Sequence, residues 1–228
     1  MGEMVEFPSN GTSAGGYLAT PEGGEGPGVL VIQEYWGLVG HIKELCERFA
    51  AEGFAALSPD LYHGATAAPT EPDKAGKLMM NLRIDQAAKD LNGAVDYLVA
   101  HSNGEGIGAV GFCMGGGLAL RVGCLRPEAV KAVVAFYGVA GWPPGECDWS
   151  QMTASVQGHY AENDDMAGPP EVAKLEAELR ANGVEVEMFL YPGTTHAFFN
   201  DTRPEVYDAE ASALAWPRTL DFLRSRRN

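Results

Sequence analysis

The chain has 228 residues, 46% of them hydrophobic, which suits one α/β domain with a large core, 1–228. Its 16 Lys and Arg against 31 Asp and Glu give a net charge of −15, a field that repels nucleic acid and anionic membrane surfaces and argues against both as main partners. Met1–Glu6 has no basic or apolar leader pattern, no stretch reaches the roughly 20 apolar residues of a membrane span, and Cys46, Cys113, Cys124 and Cys147 lack metal-ligand or disulfide-framework spacing, so a cytoplasmic location and no metal are expected.

Taken in chain order, Met4–Phe7 and Gly16–Ala19 read as strands across the turn Pro8-Ser9-Asn10-Gly11, an antiparallel edge hairpin. Val29–Ile32 is the continuous apolar run of a central parallel strand, and it empties into Gln33-Glu34-Tyr35-Trp36-Gly37. Val39, Ile42, Leu45, Cys46, Phe49 and Ala50 form one helix face, stopped at Gly53, which makes Cys46 a packing residue. After the strand Phe54–Leu57 comes a loop, Tyr62–Thr70. A long helical stripe follows, made by Ile84, Ala87, Ala88, Leu91, Val95, Leu98 and Val99.

Ile107–Phe112 is a strand leading into Gly111-Phe112-Cys113-Met114-Gly115-Gly116-Gly117, after which Leu118–Leu125 reads as a helix with Cys124 in its core face. Val130–Tyr137 is another buried strand. Gly141–Trp149 has no periodicity and reads as a loop whose Trp142 and Trp149 cap the core or wall a pocket. Ser155–Tyr160 is a strand, and Pro169-Pro170 starts a helix that Asn182-Gly183 ends. Val184, Val186, Met188 and Leu190 alternate with Glu185 and Glu187, as in a strand near a sheet edge. A last helix is expected from Pro204 to Arg224, kinked or divided by Pro217. Strands alternating with helices predict a doubly wound, mostly parallel sheet with helices on both faces, whose ligands sit at the carboxyl ends of the strands.

The heptapeptide at 111–117 is a strand, a sharp glycine-flanked turn and a helix, the pattern of a nucleophile elbow with cysteine in the serine position. It places a sulfur at a helix N-terminus, where orphan N–H groups favour an anion. Polar residues at three further strand ends complete a set in chain order: Glu34-Tyr35, Cys113, Asp164, His196. Nucleophile, acid, histidine is the order of α/β-hydrolases. Glu162 and Asp165 compete with Asp164 for the acid role, since strand-end carboxylates commonly cap turns. Gly106–Gly111 also matches GxGxxG, but it lies on the strand rather than between strand and helix, so no dinucleotide or other cofactor is expected.

The chain resembles the dienelactone hydrolase family (carboxymethylenebutenolidase-like α/β-hydrolases) over nearly its whole length. The resemblance rests on Gln33-Glu34-Tyr35-Trp36-Gly37, the elbow, Phe136-Tyr137-Gly138, Ala161-Glu162-Asn163-Asp164 and Thr195-His196-Ala197-Phe198. It implies Cys113 as nucleophile, His196 as base, Asp164 as its orienting carboxylate and Glu34 as the carboxylate that meets the resting thiol. Backbone N–H groups of Tyr35 and Met114 become the oxyanion hole. Tyr137 lines the site, and Trp36, Phe198 and Asn200 are the other candidate substrate contacts. The family clamps its substrate's carboxylate with arginines, one of them four residues after the histidine; here that place holds Asn200, and Pro72, Asp73 and Lys74 stand near the second. Arg203 or Lys74 are the available substitutes.

The expected activity is hydrolysis of a small-molecule ester, lactone or thioester through an acyl-cysteine, by a monomer or small homo-oligomer. An acyltransferase using the same site is the alternative within chemistry. A catalytically silent binding module is the alternative outside it, and the joint presence of Cys113, Asp164 and His196 argues against that reading.

Overall fold

The computed structural model describes residues 2–140 and 147–226, so Trp142 lies outside the described residues. Among the described residues eight strands run in the order β1-β2-β4-β3-β5-β6-β7-β8. The chain divides into two compact units, residues 1–107 and 108–228, with the boundary inside β5.

The first unit holds β1 (Glu3–Ser9), β2 (Thr12–Ala19), β3 (Pro27–Ile32), α1 (Gly40–Ala51), β4 (Ala55–Pro59), α2 (Pro72–Met80), α3 (Ile84–Ala100) and the start of β5 (Asn103–Phe112). The hairpin is tighter than expected. Ser9 pairs with Thr12, so the turn is only Asn10-Gly11, both at positive φ (42° and 95°), the two-residue geometry that matches strand twist. Pro8 sits inside β1, which an edge strand tolerates because one side needs no N–H. β2 is antiparallel to both β1 and β4, while β3 and β4 are parallel. Cys46 is fully buried on α1.

On α3 the buried face is Ala87, Asp90, Leu91, Ala94, Val95 and Leu98; Val99 is 47% exposed, contrary to the predicted stripe. One residue is about 100° of helix rotation, which carries Val99 off the face that Leu98 occupies. Asp90 takes a place on that face because Ser9 Oγ (2.5 Å) and Gln86 Nε2 (2.9 Å) donate to its carboxylate.

The second unit carries α4 (Met114–Leu125), β6 (Val130–Phe136), a 3-10 turn (Trp149–Gln151), β7 (Ser155–Asn163), α5 (Pro169–Ala181), β8 (Val186–Thr195) and α6 (Ala209–Ser225). β6, β7 and β8 are parallel neighbours. Trp149 is buried and donates to Glu178, so it packs rather than walls open space. α6 begins later than predicted because Asp208 caps it through Ala211 N–H (2.8 Å), and it runs through Pro217 as one helix.

β8 shows an alternation that changes hands. Val186 is buried and Glu187 exposed, as expected, but Leu190 is 46% exposed and Tyr191 buried. The cause is α6. Its Arg218 lies over the Phe189 ring at 4.2 Å and donates to Tyr191 Oη, covering the face that Glu187 had suggested would be wet.

Candidate active site

Helix α4 starts at Met114, directly after Cys113 and four residues earlier than the pattern suggested. Cys113 has φ 57° and ψ −120°, a conformation L-residues rarely adopt. The flanking glycines explain how the chain gets there: a Cβ on Gly111 would fall 1.9 Å from Gly115 O, so no other residue fits. Cys113 N–H donates to Phe136 O at 3.0 Å, and Gly116 N–H donates to Cys113 O at 2.9 Å, which fixes both sides of the turn. Met114 occupies the first helical position, where the helix itself provides no acceptor for its N–H.

Asp164 and His196 meet because their strands end together. The β7–β8 register slips between Ala161 and Asn163, so that Ala161 faces Tyr191 but Asn163 faces Thr195. Pro192, Gly193 and Thr194 thus stand opposite Glu162 alone, two residues more than a regular ladder holds, and form a bulge with Gly193 at φ 74°. Glu162, one of the competing carboxylates, accepts from Gly193 N–H at 2.9 Å and holds that bulge. The residues one step beyond the realigned pair are Asp164 and His196, and His196 Nδ1 donates to Asp164 Oδ2 at 2.7 Å. The other oxygen of Asp164 accepts from the N–H groups of Met166 (2.8 Å) and Ala167 (3.1 Å). Asp165 is exposed.

His196 Nε2 is buried and has no hydrogen-bond partner of normal geometry, yet the Cys113 sulfur is near enough to influence the ring's charge. Such looseness is common in a resting site. The Tyr137 ring stands edge-on to the imidazole at 5.1 Å, on a residue itself at φ 40°. Ala197, next to the histidine, has φ 65°. Of the five described non-glycine residues at positive φ, three are therefore Cys113, Tyr137 and Ala197, strain gathered at one place.

Burial is the largest single influence on His196 and disfavours its cation. The Asp164 hydrogen bond, the Cys113 contact and both groups' charges outweigh it and push the imidazole up to about 10. Burial likewise acts to raise Asp164, but the hydrogen bond and charge of His196 and the two N–H donors hold it below the usual carboxylate value. A raised His196 stabilises the fold fully below its ordinary 6.5 and loses that contribution as pH rises through about 10. Asp164 contributes above its ordinary 3.8 and loses it as pH falls below. We expect the His196 ring signals in NMR to titrate near the upper value, and Cys113→Ala, which removes two of the raising influences, to move the midpoint down. A wild-type midpoint near 6.5 contradicts this.

The remaining candidates divide by unit. In the first, Glu34 is buried to 2% exposure at the end of β3, and the Tyr35 and Trp36 rings lie 4.3 Å apart, with Trp36 packed among Ala67, Ala75 and Leu78. In the second, Phe198 is fully buried between Tyr137 (5.6 Å) and Tyr191 (4.9 Å), so it supports the site's tyrosine and has no surface of its own to offer a substrate. Asn200 is 2% exposed and its Oδ1 accepts from Thr202 N–H and Oγ1, which makes it a turn cap. Arg203 pairs with Glu205 at 2.8 Å, and Lys74, exposed, with Glu71 at 3.5 Å. No cluster of three metal-ligating side chains occurs among the described residues, nor a helix long and apolar enough to cross a membrane.

An eight-stranded, mostly parallel sheet with a strained cysteine elbow after β5, a carboxylate after β7 and a histidine after β8 defines an α/β-hydrolase fold. The chain belongs to the dienelactone hydrolase family, whose sequence pattern matches residues 14–226, and is thereby a carboxylic ester or lactone hydrolase. It is 39% identical to Protein usf of Aquifex pyrophilus, over 98% of both chains. It is 36% identical, over 99% of both, to an Aquifex aeolicus protein that carries the provisional name carboxymethylenebutenolidase. A Klebsiella pneumoniae crystal structure, provisionally assigned as a dienelactone hydrolase, superposes with a TM-score of 0.86 at 28% identity, covering 98% of each chain.

Proposed function

We propose that the chain hydrolyses neutral esters, lactones or thioesters through an acyl-Cys113 intermediate. The observation that carries this is the buried His196 Nε2, left without a normal partner beside the elbow sulfur while Nδ1 is locked onto Asp164. With the thiol proton on His196, Cys113 Sγ attacks the substrate carbonyl carbon. The tetrahedral oxyanion is met by backbone N–H groups, Met114 supplying one, and each such donor is worth about 3 kcal/mol in comparable sites. Collapse expels the alkoxide or thiolate, which takes its proton from His196 Nε2. A water then attacks the acyl-enzyme as His196 removes its proton, and Cys113 is regenerated. Throughout, Asp164 keeps the histidine's Nδ1 proton in place and stabilises the imidazolium. Glu34 and the Tyr35 N–H hold, in this reading, the roles that the family resemblance implies.

The preference for neutral substrate follows from the groups that would bind an anion. Asn200 is engaged in its own turn, Arg203 is paired with Glu205, and the chain carries −15 overall. A charge-assisted contact is worth about 1.5–3 kcal/mol, so its loss weakens a carboxylated ligand roughly 10- to 150-fold. Arginine at 200 would have to displace a buried cap, so Asn200→Arg tests folding more than specificity. The cleaner measurement is kcat/KM for a matched neutral and carboxylated ester at moderate salt, together with intact-mass detection of an acyl adduct on Cys113. A winning carboxylated substrate overturns the preference, and turnover with no adduct under rapid quench overturns the covalent route.

A further inference from the structure

The second unit contains two more thiols, and they are close together. Cys124 lies in the last turn of α4, 9% exposed, and Cys147 stands partly exposed just before the 3-10 turn Trp149–Gln151. Packing brings these two places into contact. α4 lies against the 3-10 turn, and Gly123, beside Cys124, makes room for Met152 Cε, which would be 2.8 Å from a Cβ there. The two thiols lie near enough for each to bear on the other's acidity. Both are reduced, and neither belongs to the elbow chemistry.

We propose that Cys124 and Cys147 are a redox-modified pair, converted by hydrogen peroxide or an organic hydroperoxide into an intramolecular disulfide that pins the end of α4 to the start of the 3-10 turn. The surroundings assign the two sulfurs different parts. The neighbouring Cys124 thiol and the charge of Arg121 favour the Cys147 thiolate and together outweigh burial, holding Cys147 below the usual thiol value; the neighbouring Cys147, burial and Asp148 push Cys124 upward. Cys147 is also the more exposed of the two, so its Sγ meets the peroxide first and attacks one peroxide oxygen. The O–O bond breaks, the sulfur becomes a sulfenic acid, and the departing oxygen leaves as water, or as an alcohol from an organic hydroperoxide, once protonated. Cys124 Sγ then attacks the sulfenic sulfur, loses its proton and expels the hydroxyl as water, and the S–S bond closes at about 2.05 Å. Two thiol protons and two electrons pass to the peroxide in all. The other cysteines are placed differently: Cys46 is fully buried on α1, and Cys113 faces His196.

Peptide mapping distinguishes the outcomes, because trypsin leaves each cysteine in its own fragment. Cys124 falls in 122–131, where Arg126-Pro127 resists cleavage, Cys147 in 132–174, Cys113 in 90–121 and Cys46 in 44–48. Titrating the full-length protein with hydrogen peroxide should give a species lighter by about 2 Da that dithiothreitol reverses, the loss of two hydrogens that defines a disulfide. Fragments 122–131 and 132–174 should appear joined, in Cys113→Ala protein as well as in wild type, and Cys147→Ser should abolish the species. The proposal fails if the joined fragments contain 90–121 or 44–48, if oxygen adds to the cysteines without any linkage, or if the lighter species survives Cys147→Ser. Mapping wild type alone decides the matter should that variant not fold, and the result is independent of what Cys113 catalyses.

Discussion

Replacing Cys113 with alanine should lower ester turnover by at least about 10³-fold, the scale on which nucleophile, base and acid of such a set act, while leaving the protein folded. The backbone makes this more than a test of activity. At φ 57° and ψ −120° the residue is strained, a conformation that costs about 1–3 kcal/mol and that glycine adopts more easily. A cysteine kept only for packing would destabilise the fold when removed. Here Cys113→Gly should be inactive yet have a thermal midpoint equal to or above that of wild type. Alkylation gives the same division from the other side. Cys46 is fully buried with its thiol pushed above the usual range, Cys124 is nearly so, and Cys147 is reachable but outside the elbow. Modification at Cys147 should therefore leave hydrolysis intact, and modification at Cys113 should end it. Full turnover in Cys113→Ala rules out the acyl-cysteine route, because hydrolysis would then proceed without the elbow sulfur.

How much of this was legible in the sequence depended on whether the determining interactions are local. The elbow was readable because its glycines answer to atoms a few residues away: Gly111 is required by Gly115. Helix ends set by Gly53, Asn182-Gly183 and Pro169-Pro170 were readable for the same reason. The β7–β8 bulge was not, because a register shift belongs to two strands separated by a helix, and Pro192-Gly193 reads as an ordinary turn signal within one of them. Positive φ at Tyr137 and Ala197 was equally hidden, since neither residue type announces it. The part assigned to Asn200 came from counting four residues past the histidine. What decided its actual behaviour was Thr202, two residues on, which turns the amide into a cap. The far side of β8 failed as a wet face because a residue on α6, Arg218, carries an aliphatic stem and a planar cation well suited to cover aromatic rings. For the bulge and for the covered face of β8 the missing information was a partner distant in the chain.

Asp164→Asn should be the second large loss, about 10²- to 10⁴-fold in kcat, against little change for Asp165→Asn. The argument is one of proton positions. Asp164 Oδ1 takes two backbone N–H groups and Oδ2 takes the proton on His196 Nδ1, so the carboxylate is acceptor on both sides. Asparagine has one acceptor oxygen and one amide nitrogen. The two N–H groups of Met166 and Ala167 claim the oxygen, which turns the NH₂ toward His196. Nδ1 must then accept rather than donate, and the ring's remaining proton moves to Nε2, the atom meant to receive one from Cys113. The ring also loses the charge and hydrogen bond that hold its cation at about 10, so the NMR midpoint of His196 should fall in Asp164→Asn together with kcat. Asp165 is exposed, and it is Asp164 that holds His196 Nδ1, so an amide at 165 should leave both readings near wild type. Because tautomer and cation are lost together, KM should move far less than kcat. A greater loss from Asp165→Asn, or an unchanged His196 titration in Asp164→Asn, shows that the 2.7 Å contact does not set the state of the base.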